Sequence, residues 1–211
     1  MPLYFHDPLD PPGEWGLWHI TESETELRTQ TSLHPSEQEQ IAQIKGEERR
    51  REYLAARLLL HRMSGRSKRA ELVKDDDGKP HITDSAFHVS ISHTVGYSAA
   101  IAHPRACGID VQRMVPRIRR LAHKFVNARE QQQLREADEL VQLHLLWAAK
   151  EAMYKAYGRR QVDFREHLRV DLDGGSARLT KDDTVMEFGL WQRVYEGFVL
   201  VGVVEGGVPP R

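Results

Sequence analysis

Apolar and polar positions along this chain settle into two long helical stretches, each followed by short runs with the character of strands. Over residues 47–63 the pattern is strongly helical, with Tyr53, Leu54, Leu58, Leu59 and Leu60 apolar, and Ser64-Gly65 supplies the stop. Over residues 140–157 the same period returns with Leu143, Leu146, Trp147 and Met153, and Gly158 ends it. Between the two helices, residues 88–92 and 97–102 read as strands around Thr94-Val95-Gly96, and residues 107–111 as a third. After the second helix, strands are expected over 168–172, 177–180, 185–194 and 198–204, with a Gly174-Gly175 turn.

Smaller signals fill the gaps. Ser36 with Glu39 three residues on has the form of a capping box, as does Asn127 with Glu130, and residues 117–126 read as a helix. Pro11-Pro12-Gly13 and Asp75-Asp76-Asp77-Gly78-Lys79-Pro80 are turns. The first thirty residues show no single period. A long helix followed by a small sheet, twice, predicts an α+β protein of two similar subdomains, residues 1–106 and 107–211.

Composition narrows the class. The 211 residues are enough for one large core or two small ones, and the formal net charge of −1 gives no bulk bias toward nucleic acid. Basic residues are nevertheless dense over 45–69 and again over 113–124. Cys107 is the single cysteine, which excludes an internal disulfide and a thiolate zinc site. The opening residues lack the basic-then-apolar order of a secretion signal, and no apolar run approaches the roughly 20 residues of a membrane span. The expectation is a cytoplasmic protein.

The chemistry concentrates in two places. One is Gly108-Ile109-Asp110-Val111-Gln112, where an acid ends an apolar strand. The other is the helix Trp147-Ala148-Ala149-Lys150-Glu151-Ala152-Met153-Tyr154-Lys155, on which Trp147, Glu151 and Lys155 stand four apart on one face. An i,i+4 Glu–Lys pair is also the commonest helix surface ion pair, worth roughly 0.2–0.5 kcal/mol. Two separated carboxylates with lysines, however, suit a divalent metal that holds phosphate oxygens. Arg50 and Arg57 lie two turns apart on the earlier helix, Lys79 sits in a turn, and Ser92-His93 closes a strand.

Other chemistries lack their motifs. The chain has no Gly-x-Ser-x-Gly elbow, no Gly-x-x-x-x-Gly-Lys-Ser/Thr loop, no Gly-x-Gly-x-x-Gly and no His-Glu-x-x-His. Asp75-Asp76-Asp77 lacks the alternation and the distal Glu of a calcium loop.

Taken in order, Arg50 and Arg57 on a helix, Gly78-Lys79-Pro80, Ile91-Ser92-His93, Gly108-Ile109-Asp110-Val111 and Trp147-x-x-Lys150-Glu151-x-x-x-Lys155 resemble the 4′-phosphopantetheinyl transferase family, of the larger type that activates surfactin synthetase. The resemblance spans about residues 35–190. It implies two α+β halves related by a pseudo-twofold, with coenzyme A and Mg²⁺ in the cleft between them, and a monomer. Asp110 and Glu151 would be metal ligands, and Lys155 would contact the pyrophosphate. Arg50, Arg57, Lys79, Ser92 and His93 would hold the 3′-phosphate and the nucleotide end. The partner would be an apo acyl or peptidyl carrier protein with an acidic helix, met by Arg113, Arg117 and Arg120 with Met114 or Ile118 packing against it. Asp110, Glu151 and Lys155 would carry the catalysis.

One position departs from the family pattern. Its metal motif has a second acid two residues after the first, where this chain has Gln112. An amide oxygen can ligate Mg²⁺ without adding charge. That departure supports an alternative, a catalytically weak coenzyme A or nucleotide-binding module of the same fold. A nucleic-acid-binding role for residues 45–69 is opposed by the near-neutral charge and the interleaved leucines.

Overall fold

The computed structural model describes residues 3–209, in two compact units that divide between Pro104 and Arg105. The first unit opens with the antiparallel pair β1 (Leu3–Pro8) and β2 (Glu14–His19). Both lie where the sequence shows no clear period. For β2 the reason is burial: Trp15, Leu17 and Trp18 are all inside, so it never alternates between buried and exposed positions.

Helix α1 (Glu24–Thr31) starts at a capping box between Ser23 and Glu26. Helix α2 (Pro35–Ala42) starts two residues earlier than Ser36-x-x-Glu39 suggests. Pro35 takes the first helical position, where its missing N–H costs nothing, and Glu37 reaches back to the His34 N–H at 3.0 Å. Ser36 bonds Glu71 instead. Helix α3 (Glu47–Ser64) ends on Gly65 in the left-handed conformation. Then come β3 (Leu72–Lys74), β4 (Pro80–Ile82), β5 (His88–Thr94) and β6 (Tyr97–His103). The sheet order is β1-β2-β6-β5-β4-β3. Leu54, Leu58, Leu59 and Met63 of α3 pack with Trp18, Leu27, Ile41, Val89 and Ala100 to form its core.

The second unit runs β7 (Cys107–Arg113), α4 (Ile118–Leu121), α5 (Ala128–Gln133), α6 (Glu139–Tyr157), β8 (Leu168–Asp171), β9 (Ser176–Lys181), β10 (Thr184–Tyr195) and β11 (Phe198–Glu205). Residues 117–126 are not one helix. Helix α4 lasts one turn and tightens into a 3₁₀ turn at Ala122–Lys124, where Phe125 and Val126 turn into the core ahead of the Asn127 cap. The sheet order is β7-β11-β10-β9-β8, entirely antiparallel. Helix α6 lies on it, with Leu143, Leu146, Ala149 and Met153 against Val199, Val201 and Val203.

The two units share one topology. In each, a first strand (β2 or β7) leads through helices to a long one (α3 or α6). Four strands then meander back, and the last pairs with the first. Strand β1 is the addition at the edge of the first unit. The fold is therefore α+β with two similar subdomains.

Candidate functional site

Strand β7 and helix α6 build the site in the second unit. Side chains at 108, 110 and 112 project from one face of β7. At the first of these only a hydrogen fits. A Cβ on Gly108 would overlap the Ala152 carbonyl oxygen and come within 3.0 Å of the Ala156 nitrogen. The motif begins with glycine because α6 lies directly on the strand there. That close approach brings the next residue on the same face, Asp110, beside the last two turns of α6.

Asp110 is buried, and Lys155 donates to its Oδ1 at 2.8 Å and to the Ile109 carbonyl at 2.9 Å. An ammonium has three donors, so one N–H of Lys155 remains for a ligand oxygen. Glu151 stands one turn before Lys155 and is half-buried. Burial pushes its carboxyl above the usual range, and the negative charge of Asp110 pushes it further, against the pull of Lys155. Lys155 is thus not committed to the surface i,i+4 pair that the spacing alone would allow.

The donor set consists of hard oxygens. Burial first and the Asp110 charge second raise Glu151, and a cation between the two carboxylates would relieve their repulsion. Gln112 follows on the same face of β7 at its half-buried end. Among the described residues no group of three or more His, Cys, Asp or Glu side chains forms a closed metal cage. Mg²⁺ commonly takes one or two protein carboxylates and completes its shell with water and substrate phosphates, so this pair fits it.

The other two residues of the helix motif turn elsewhere. Lys150 has no exposed surface and donates to the Phe125 carbonyl (2.5 Å), Glu130 Oε2 (2.7 Å) and the Phe164 carbonyl (2.9 Å). Burial holds its ammonium below the usual lysine range against the attraction of Glu130. Glu130 also accepts the Asn127 and Val170 N–H groups at 3.0 Å each. Trp147 packs edge-on to Phe125 and tilted on Phe164, with centroids 5.1 and 5.5 Å away. Lys150 and Trp147 therefore lock α6 to its surroundings while Glu151 and Lys155 face Asp110. Glu130 escaped sequence reading because its only visible signal was the capping box with Asn127.

The candidate residues of the first unit divide. Arg50 donates from Nε to both oxygens of Glu24 (2.9 Å each) and from Nη1 to the Ile44 carbonyl. Arg57 is buried, paired with Glu37 (3.1 Å), bonded to the Tyr53 carbonyl and stacked 3.3 Å over the Tyr53 ring. The face shared by Arg50 and Arg57 is therefore no open phosphate stripe: each guanidinium is engaged by a carboxylate that distant residues supply. Lys79 sits in a turn whose backbone N–H bonds Asp75 Oδ1 at 2.8 Å. Ser92 is buried in β5 and His93 half-exposed at its end. His93 Nδ1 lies 3.0 Å from Arg49 Nη1 and 3.2 Å from Glu52 Oε2. Arg49 is largely exposed, and sequence reading missed it because Arg49, Arg50 and Arg51 are indistinguishable until the phase of α3 is known.

Residues 106–198 match the family model of the 4′-phosphopantetheinyl transferase superfamily, and residues 36–103 match that of the 4′-phosphopantetheinyl transferase N-terminal domain. No curated protein matches the chain.

Proposed function

Because the chain belongs to the 4′-phosphopantetheinyl transferase superfamily, we propose that it moves the 4′-phosphopantetheine group of coenzyme A onto a serine of an apo acyl or peptidyl carrier protein and releases 3′,5′-ADP. The observation that carries this is the cluster of Asp110, Lys155 and the raised Glu151 on β7 and α6.

In the reaction the serine oxygen forms a bond to the phosphorus of the phosphopantetheine phosphate. The phosphorus–oxygen bond to 3′,5′-ADP breaks, and the electron pair leaves with the nucleotide. Glu151, directly or through a water, takes the serine proton. The remaining N–H of Lys155 offsets charge on the departing phosphate. Asp110 and Glu151, with the Gln112 oxygen or a water, would hold Mg²⁺, which when bound supplies positive charge to the pyrophosphate. Lys155 holds Asp110 in place through the 2.8 Å bond.

For the nucleotide end, Lys79, Ser92 and His93 remain candidates, and Arg49 joins them as the exposed cation beside His93. Arg57 is not retained, since its guanidinium is buried on Glu37. No helix among the described residues is long and apolar enough to cross a membrane. We assign the enzyme to the cytoplasm, as a monomer that needs no second copy to supply its motifs.

Incubation with coenzyme A, Mg²⁺ and a panel of apo carriers, followed by mass measurement of each carrier, tests the assignment. Addition of one phosphopantetheine, dependent on Mg²⁺, is expected. Gln112 favours the second reading, a coenzyme A-binding module without turnover. Binding of coenzyme A with no metal-dependent release of 3′,5′-ADP on any carrier would decide for it.

A further inference from the structure

A cavity of about 230 Å³ opens in the first unit, bounded by the C-terminal half of α3, the 65–71 loop and the far end of the sheet. Arg49 and His93 lie at the opposite end of α3. At 1.5 Å per residue, Leu60 is about 17 Å along the helix axis from Arg49. The cavity is thus separate from Arg49 and His93.

Its wall has two characters. Leu60, Met63, Leu72, Ile82, Phe87 and Ala102 make an apolar floor. The rim and back are cationic: Arg57, Arg66 and Arg69 line the cavity, with Glu14 the one acid among its lining residues. Glu14 is engaged by His6 at 2.7 Å. Behind the wall, Arg57 and Arg69 both pair with the single carboxylate of Glu37, which has no exposed surface. Two guanidiniums on one carboxylate leave a net positive charge inside the protein. Burial presses hardest against the Arg57 charge and Arg69 adds to it, opposed by Tyr53 and Glu37. A buried charge without a full counter-charge is costly, and an anion in the cavity would complete the balance. His61, also on the wall, is held below the usual histidine range by burial and by Arg69 and Arg62, so it adds little charge at neutral pH. Arg66 is exposed, and one of its terminal nitrogens donates to the Asp84 carbonyl at 3.0 Å, which fixes it at the mouth with other donors to spare.

We propose that this cavity is a binding site for a medium-chain carboxylate, with the apolar chain on Leu60, Met63, Leu72 and Phe87 and the carboxylate at Arg66, backed by the buried Arg57–Glu37–Arg69 cluster. The volume of about 230 Å³ lies below the roughly 300–1,000 Å³ of drug-sized ligand pockets and so suits a medium chain rather than a long one. The site does not depend on the transferase assignment, and its test makes no use of activity.

The probe is octanoate, with octylamine and octanol as matched chains of opposite and no charge. Binding is followed by calorimetry and by chemical-shift changes in the full chain. Octanoate is expected to bind at least tenfold tighter than either analogue, with shifts at the cavity residues. Ala70→Trp, which fills the mouth, is expected to abolish binding, and Arg66→Glu to weaken it at least tenfold. Thermal melts of both variants within a few degrees of the parent would show that the fold is intact. Equal binding of octanol and octanoate, undiminished binding in either folded variant, or shifts confined to residues outside the cavity would each overturn the proposal. Should Ala70→Trp fail to fold, Arg66→Glu decides alone, since Arg66 is exposed.

Discussion

Lys155 donates to Asp110 across 2.8 Å although 45 residues separate them, while Glu151, one helical turn from Lys155, is pushed up by burial and then by the Asp110 charge. The lysine thus holds one carboxylate and leaves the other poised to take a proton or a metal. Replacing Lys155 with Ala is expected to lower kcat by at least about a hundredfold, the scale for removing one preorganised donor, with a smaller change in the Michaelis constant for coenzyme A. Steady-state kinetics separate the two. A change confined to the Michaelis constant would make Lys155 a binding residue only.

The position of Asp110 depends on Gly108. An added methyl at 108 would meet the Ala152 backbone, which cannot yield as a flexible side chain would. Gly108→Ala is therefore expected to cost about 1–3 kcal/mol, the range for overpacking a filled interior. It should also lower activity in the folded fraction, because α6 must lift from β7. Urea unfolding checks the first expectation. A stability within error of the parent would mean that the helix is not seated on the strand at this point.

Much of this arrangement was legible in the sequence, for physical reasons. Helices α3 and α6 announced themselves because each is a long apolar-rich stretch without Pro or Gly and a glycine in the left-handed conformation ends each, Gly65 and Gly158. The strands from β5 onward were visible between turn residues. What escaped was decided by tertiary contact. Strand β2 is buried without alternation, and α2 begins at Pro35 because Glu37 serves the His34 N–H and the buried arginines at once. Arg50 and Arg57 carried the right charge, but only the fold shows Glu24 and Glu37 beside them. Lys150 and Glu151 are neighbours in one motif, and the helix turns one into the core and the other toward Asp110.

Gln112 occupies the place on β7 where the family pattern has a second acid. Gln112→Glu would set another carboxylate two residues from Asp110 on the same face, and Coulomb attraction for a divalent ion grows at short range. Binding of Mn²⁺ as a spectroscopic stand-in, measured without substrate, is expected to tighten about tenfold or more. Unchanged binding would mean that position 112 faces away from the ion.

His144 is buried on α6, with Nδ1 2.8 Å from the Leu140 carbonyl and Nε2 accepting the Val115 N–H at 3.0 Å. Burial holds its pKa below the usual value, opposed by the Leu140 bond. The folded state therefore favours the neutral ring. Its contribution is complete above the unfolded value near 6.5 and is lost as pH falls below it toward the depressed folded value. A protonated Nε2 can no longer accept from Val115. Stability is expected to fall as pH drops below about 6.5, by at most about 1.4 kcal/mol per pH unit from this group. His144→Leu should flatten that part of the curve. Identical pH profiles for parent and variant would remove His144 as the cause.

The Val115 bond also anchors the stretch assigned to the carrier protein. Arg113, Arg117 and Arg120 are exposed, as expected of a steering surface. Of the apolar partners expected beside them, Ile118 is buried in the core and Met114 is half-buried against it. Leu121 takes their place as the exposed apolar residue, next to Arg120 and 38% accessible. Arg119 is held by Glu139 at 2.6 Å and is less suited to the role. An acidic helix approaching this surface would be drawn by Arg117 and Arg120 and packed by Leu121. Long-range attraction of this kind acts on the association rate and fades with salt, since the Debye length is about 8 Å at physiological ionic strength. Reversing Arg117 and Arg120 to Glu is expected to raise the Michaelis constant for the carrier about tenfold at low salt, the scale of a steering effect, and to shrink that difference as salt rises. The constant for coenzyme A should stay close to the parent value, because neither arginine belongs to its assigned site. Leu121→Asp should raise the carrier constant at every salt concentration, since loss of packing is not screened. A carrier constant that stays put at low salt in the double reversal would place the docking surface elsewhere on the chain.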